Sequence, residues 1–399
     1  MQVKNTLIKL LVAAAALFPA AVWAQTSSIN AFSPYTMYGI GELNTPGTLP
    51  MRSMGGVGVA MRSTGVVNLL NPAAYSSIPQ KTFLFNFGLE GQNYYNSQTV
   101  AGQSKSTAYN TFNFHDIAFQ MPVARKLGLG FSLTPYSSVG YRTKYYHEYD
   151  PSDPVWGNVG RVQYNYEGEG DVTEVKLGLG WEVFKNFSVG VAAQYYWGSI
   201  DRTFTMTPTA ITGEGTYTSS VGLDNYSISS VKGQVGVQWS PVLTQKRILT
   251  IGAAFDIGGD LNPEVTKRIY VGDIYNTTVK GDTTHLKMVL PRQLSAGIYY
   301  QTAKWAVGVD YAYQNWGDSN TATEMTGVSG SGDARTSYEV AYTNTSTFKV
   351  GVEYGRRGYN VAERVGLVRQ QYFKFAVGFT LFAGAQENGE YWFSRPKYD

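Results

Sequence analysis

Three histidines, His115, His147 and His285, are the only imidazoles in this chain of 399 residues, and it has no cysteine. Zinc sites are built from Cys, His and carboxylate ligands at set spacings. These histidines stand in separate segments without such a spacing, so no metal or cofactor is expected. His147 with Asp150 and Asp153 is the one arrangement suggestive of acid–base chemistry, and a solvated histidine on a rim accounts for it equally well. A G-x-S-x-G elbow, a P-loop and a G-x-G-x-x-G turn are all missing. The residue types do not point to an enzyme.

Charge is more informative. Arg142, Lys144, Glu174, Lys176, Glu182, Lys232, Asp310, Lys349 and Glu353 fall on the less apolar side of alternating stretches, and they mix both signs. Successive strand side chains point to opposite faces. Val175, Leu177, Leu179 and Trp181 thus oppose Glu174, Lys176, Gly178 and Gly180. Val189, Val191, Ala193, Tyr195 and Trp197 oppose Ser188, Gly190, Ala192, Gln194 and Tyr196. The same split recurs around Val235–Trp239, Trp305–Tyr313 and Phe348–Tyr354. From Leu127 to Tyr145 one unbroken alternation puts Leu127, Leu129, Phe131, Leu133, Val139, Tyr141 and Tyr145 on one face, with Arg142 and Lys144 opposite.

A soluble β-sandwich also alternates. Three features favour an antiparallel transmembrane β-barrel of 12–14 strands. The alternating runs exceed the ~6 residues usual in sandwich strands and the ~9–11 that cross a bilayer. Tyr195, Trp197, Trp239, Trp305 and Tyr354 stand at the ends of apolar rows, where membrane interfaces hold aromatics. Short connections at Val123–Lys126, Lys185-Asn186 and Ala303-Lys304 alternate with long ones, the habit of outer-membrane barrels. Residues 335–354 read as one strand or as two parted near Thr343–Ser346. The last strand ends at Phe382.

Composition agrees. Charged residues are 15% of the chain, aromatics 14%, and the net charge is +3, too little to argue for nucleic acid. Lys4 and Lys9, the apolar run Leu10–Ala21 and Val22-Trp23-Ala24 read as a signal peptide over residues 1–24. Its removal lowers the charge to +1. Residues 25–80 are rich in Gly, Ser, Pro and Met with little alternation. They are either a flexible leader or, given Met51, Met54, Val57, Val59, Leu69 and Leu70, a segment packed inside the barrel. The barrel then spans 81–382 and residues 383–399 form a C-terminal extension.

The order of motifs carries a resemblance. Gly55-Gly56-Val57-Gly58-Val59-Ala60 followed by Asn71-Pro72-Ala73-Ala74 resembles the N-terminal hatch of the FadL family of outer-membrane transporters. Gly168-Glu169-Gly170, Leu177–Trp181, and Leu290-Pro291 through Trp316 are similar to later family strands. The resemblance implies a barrel closed by a hatch, with Gly55, Gly56, Gly58, Asn71, Pro72 and Ala73 as the hatch motif. It implies passive uptake of hydrophobic small molecules such as long-chain fatty acids across a bacterial outer membrane. The hatch around Gly55–Ala60 and Asn71–Ala74 is expected to shift when ligand binds. Family members release ligand sideways at a kink in the third strand. Here that strand carries Pro135 and Gly140; a proline cannot donate to the ladder, and the break is either a lateral opening or a bulge that only bends the wall. The partners are then the bilayer and a hydrophobic ligand. The alternative is an accessory subunit on a larger translocon barrel, because Ser33-Pro34-Tyr35 and the Asn68–Ile78 run resemble FadL-like barrels of type IX secretion.

Overall fold

The computed structural model describes residues 31–63, 65–80, 82–100, 103–148, 159–210, 217–243, 247–272, 281–285, 288–302, 304–321, 326–329, 336–339, 342–359, 368–382, 386–387 and 390–391. The signal peptide, Tyr149, Asp150, Asp153 and most of 383–399 lie outside them.

Long strands follow the alternating runs. They are β1 (Leu84–Val100), β2 (Gln103–Ala124), β3 (Leu127–Glu148), β4 (Val159–Phe184), β5 (Phe187–Ala210) and β6 (Ser220–Leu243). The shorter β7 (Arg247–Asp256), β8 (Glu264–Val271), β9 (Gly281–His285), β10 (Gln293–Thr302), β11 (Trp305–Gln314), β12 (Thr345–Tyr359) and β13 (Val368–Phe382) complete the series. With the two-residue strand Glu42–Leu43 they form one antiparallel sheet of fourteen strands. Its main path runs from β13 through β12, β11, β10 and β7, then back through β6 to β1. The 335–354 region resolves into two pieces, since Thr336–Glu339 pairs with Thr326–Ser329 and β12 starts only at Thr345. Tight connections turn on Lys126 and Asn186, both at positive φ (70° and 65°).

Burial alternates with sequence. Leu177 and Leu179 are 52% and 43% exposed, while Lys176 between its apolar neighbours is 6% exposed. The apolar face therefore points outward and the polar and small one inward, the arrangement of a barrel in lipid. The concave side is filled. Pro72–Ser77, a 3-10 turn, contacts β3, β4, β5 and β6 together. Residues 54–59 reach β7, β11 and β12. One short segment meets walls from β3 to β12 only if the sheet curls around it.

Two breaks shape the wall. The lower half of β6 pairs with β7 and its upper half with β8, and the chain between β7 and β8 turns inward. There Gly259–Asp260 pairs with Val289–Leu290. Leu261, Met288 and Leu290 bury themselves in an apolar cluster with Ile40, Val139, Tyr141 and Ile200. Pro263 and Pro291 flank these departures, where a missing N–H ends a ladder. The second break lies at Pro135.

Candidate functional site

The site is built on the wall's inner face. Asn71 caps the Pro72–Ser77 turn by accepting from the Ala73 N–H (3.0 Å), with Pro72 at the first helical position, where its missing donor costs nothing. The Asn71 amide donates to the carbonyls of Val59 (2.9 Å), Val237 (3.1 Å) and Ala253 (3.2 Å). One side chain thus joins two parts of the N-terminal segment to β6 and β7. Gly55 and Gly56, both left-handed (φ 73° and 74°), swing the chain so that Gly58 and Val59 donate to Asp310 of β11 at 2.6 and 2.9 Å. Lys176 donates to the Leu69 carbonyl (3.1 Å) and lies 3.4 Å from Glu174. Arg62 donates to Ser188 (2.7 Å) and stands 3.7 Å from Glu182. Burial lowers the Arg62 pKa, with Glu182 opposing.

Wall glycines let this segment sit close. A β-carbon at Gly128 or Gly180 would overlap the carbonyls of Tyr75 or Pro72. At Gly190, Gly236, Gly252 and Gly351 it would overlap Ala73, Asn71, Val59 and Met54. Tyr75, 1% exposed, lays its ring against Gly130 and Gly178.

At Pro135 the wall parts. β2 and β3 pair from Ala124↔Leu127 up to Ile117↔Leu133, and no pair between them follows. On the other side β3 continues with β4, but one residue slips between Pro135 and Ser137, leaving Tyr136 without an opposite residue. Above the slip, the N-terminal segment takes the place of β2. Glu42 and Leu43 pair with Ser138 and Ser137, and the Asn44 N–H donates to the Tyr136 carbonyl (2.9 Å). Gly140 receives the Ser33 N–H on its carbonyl (2.9 Å) and donates its own N–H to the Thr36 hydroxyl (3.1 Å). On the far side of the seam the Phe32 ring stacks on Tyr109 of β2 at 3.6 Å, and Asn96 of β1 donates to the Phe32 carbonyl. Residues 32–44 therefore form an arm lying across the gap.

A cavity of about 290 Å³ opens at this seam. Phe112, Phe114 and Pro135 line its bilayer-facing side, and Glu90, Gln92, His115, Asp171 and Thr173 are among its polar lining. His115 is the extra residue of a bulge, since Gly88 pairs with Asp116 and Leu89 with Phe114. Both His115 and Asp116 are buried and their side chains meet at 2.6 Å. Glu90 lies 3.9 Å from His115 and accepts two bonds of 2.6 Å from Arg52, at the end of the helical turn Leu49–Arg52. Wall and N-terminal segment are thus latched beside the cavity.

A family model described as BamG matches residues 6–341, more than four-fifths of the chain. This chain belongs to the BamG family. No curated protein sequence matches it. Among solved structures it is similar to a FadL homologue from Pseudomonas aeruginosa (14% identity, TM-score 0.53, covering 87% of this chain and 83% of that one). It is also similar to the CymD monoaromatic hydrocarbon channel (17% identity, TM-score 0.50, covering 86% of each). At these identities the likeness concerns the fold, which is that of a FadL-type barrel.

In this BamG-family chain the residues of the expected hatch motif come together on the wall's inner face, and Pro135 and Gly140 stand at the seam. Other expectations are corrected. The slip at Tyr136 inverts the alternation, so Val139 (0% exposed) and Tyr141 face inward, away from the side of Leu127–Leu133. Arg142 and Lys144 consequently face outward, with Arg142 3.1 Å from Glu167. Tyr145, Tyr164 and Tyr166 share the inward face with Phe204; Tyr145 stacks on Tyr164 and Tyr164 on Phe204, while Tyr166 is tilted against Phe204. Sequence reasoning missed the Arg52, Glu90, His115 and Asp116 group. The His115-Asp116 neighbours were a visible signal, but strict alternation sends adjacent residues to opposite faces. Only the bulge lets both turn in. Among the described residues no group of three or more His, Asp or Glu is placed to hold a metal.

Proposed function

We propose that this protein is an exported outer-membrane channel in which residues 25–80 form a hatch and hydrophobic small molecules cross passively, leaving or entering sideways between β2 and β3. The observation that carries this reading is the seam at Pro135, where the ladder stops and the arm of residues 32–44 bridges the gap. Unpaired backbone is not tolerated against lipid, so a seam bridged by a detachable segment suits a gate. The glycine-seated knob around Asn71–Tyr75 is packed closely against the wall, which supports the arm as a moving part beside the Gly55–Ala60 and Asn71–Ala74 motifs. No catalytic step is required. Long-chain fatty acids belong to this hydrophobic class.

The cysteine-free chain allows a direct test. Leu43→Cys with Ser137→Cys places two thiols at paired positions, where antiparallel neighbours stand ~4.5–5.5 Å apart, within disulfide range. In proteoliposomes, oxidation should slow entry of a fluorescent naphthylamine by about tenfold or more, and reductant should restore it. Equal rates in both redox states would defeat the proposal.

A further inference from the structure

The connections at the tight-turn end of the wall share one sign of charge. Residues 124–127, 184–187, 243–247 and 302–305 join hairpins that follow one another around the sheet. Each holds at least one Lys or Arg and no Asp or Glu. Arg125, Lys126, Lys185, Arg247 and Lys304 are exposed. Glu182 reaches Lys126 at 3.9 Å, but among the described residues no carboxylate forms an ion pair with Arg125, Lys185 or Lys304. The opposite end of the outer face differs. There Arg142 stands 3.1 Å from Glu167 and Arg161 2.6 Å from Glu148.

Exposed aromatics lie just inside the basic turns. Trp181, Phe184, Trp239, Trp305 and Tyr354 all present surface outward. Trp239 pairs with Phe187, and Trp305 packs on Tyr354 at 4.6 Å. Such rings mark the level at which lipid tails give way to heads. Lys304 follows directly beside Trp305, and Lys185 beside Phe184. A step of ~3.4 Å per residue puts these cations at the depth of the phosphates. Neighbouring hairpins are two strands apart, roughly 10 Å, so the cations form a spaced ring and not one cluster.

We propose that this ring binds the head groups of anionic phospholipids in the leaflet that the tight turns face, with a phosphate at each turn. Ammonium and guanidinium groups donate charge-assisted hydrogen bonds to phosphate oxygens. A zwitterionic lipid brings its own ammonium, which cancels the net attraction. An acidic polypeptide would meet the cations but leave the adjoining tryptophans uncovered, whereas a lipid meets ring and cation together. One basic residue near an anionic surface is worth about a fivefold preference. The ring is remote from the seam, and the inference stands on the barrel in its bilayer whatever crosses it.

The test uses the full-length protein reconstituted in phosphatidylcholine, with phosphatidylglycerol or phosphatidylcholine brominated near the head of its acyl chains. Quenching of tryptophan fluorescence then compares the two lipids at the protein surface. Phosphatidylglycerol should be preferred about fivefold or more at low salt, and the preference should fall toward one in 1 M NaCl, where the screening length is about 3 Å. Arg125→Gln with Lys185→Gln and Lys304→Gln should abolish it, in a protein whose band resists SDS until heated as wild type does. Arg142→Gln with Lys144→Gln and Arg161→Gln, an equal loss of charge at the other end, should preserve it. Glycerol phosphate at matched ionic strength should not compete. Equal quenching by the two lipids, a preference that survives the turn variant, or competition by glycerol phosphate would each overturn the proposal. An unchanged lipid preference in a turn variant that loses a co-purifying acidic protein would assign the ring to that protein instead. None of these outcomes depends on the redox lock of the arm, so the gate and the ring fail separately.

Discussion

At the residue scale, the segment inside the wall is held by few side chains, each serving several backbone groups. Asp310 accepts two buried N–H groups from Gly58 and Val59. Asp310→Ala strands both, at about 1–3 kcal/mol each, and should speed trypsin cleavage after Arg62, read by mass spectrometry on folded protein. The glycines make a sharper contrast. A side chain at Gly190 must displace the Ala73 backbone, and overpacking of this kind costs about 1–3 kcal/mol. Gly222 has open space around its α-carbon. Gly190→Val should raise leak conductance in planar bilayers while Gly222→Ala leaves it unchanged. Alternation alone put Gly190 and Gly236 on the inner face. That these particular glycines seat Ala73 and Asn71 depends on register across several strands, which local sequence does not encode.

Among elements, long strands were legible because their apolar rows run well past the length of ordinary strands. What escaped was the single-residue slip at Tyr136. A one-residue shift exchanges the faces of everything beyond it, so an unbroken alternation drawn through Pro135 puts Val139 and Tyr141 on the wrong side. Deleting Tyr136 should impose that alternation. It would turn Val139 and Tyr141 out of the buried cluster and bring Arg142 toward it, losing about 4 kcal/mol from two large side chains. The band that resists SDS until heated should then vanish on electrophoresis. A band of wild-type thermal resistance would mean that β3 absorbs the deletion elsewhere. The hairpin β8–β9 is short, and the inward ribbon at Leu261 and Leu290 is held by partners distant in sequence, so neither stands out in local alternation.

At the scale of the whole molecule, the wall and its N-terminal segment stabilise each other, and pH offers a way to separate them. Tyr75 belongs to the segment's capped turn, and its pKa is pushed up to about 12, first by burial, with Lys176 lowering it and Glu174 raising it. An unfolded tyrosine titrates near ~10. The seated state therefore holds its phenol proton more tightly than the released state does. Its stabilising contribution is complete below pH ~10 and is lost as pH climbs through about 12. Channel current in planar bilayers should accordingly rise between these limits. Tyr75→Phe keeps the ring against Gly130 and Gly178 but has no proton to lose. It should flatten that alkaline rise, although the other 29 tyrosines still titrate. A rise of the same size in both proteins would locate the alkaline opening away from Tyr75, and the glycine-seated knob would not be what keeps the barrel shut.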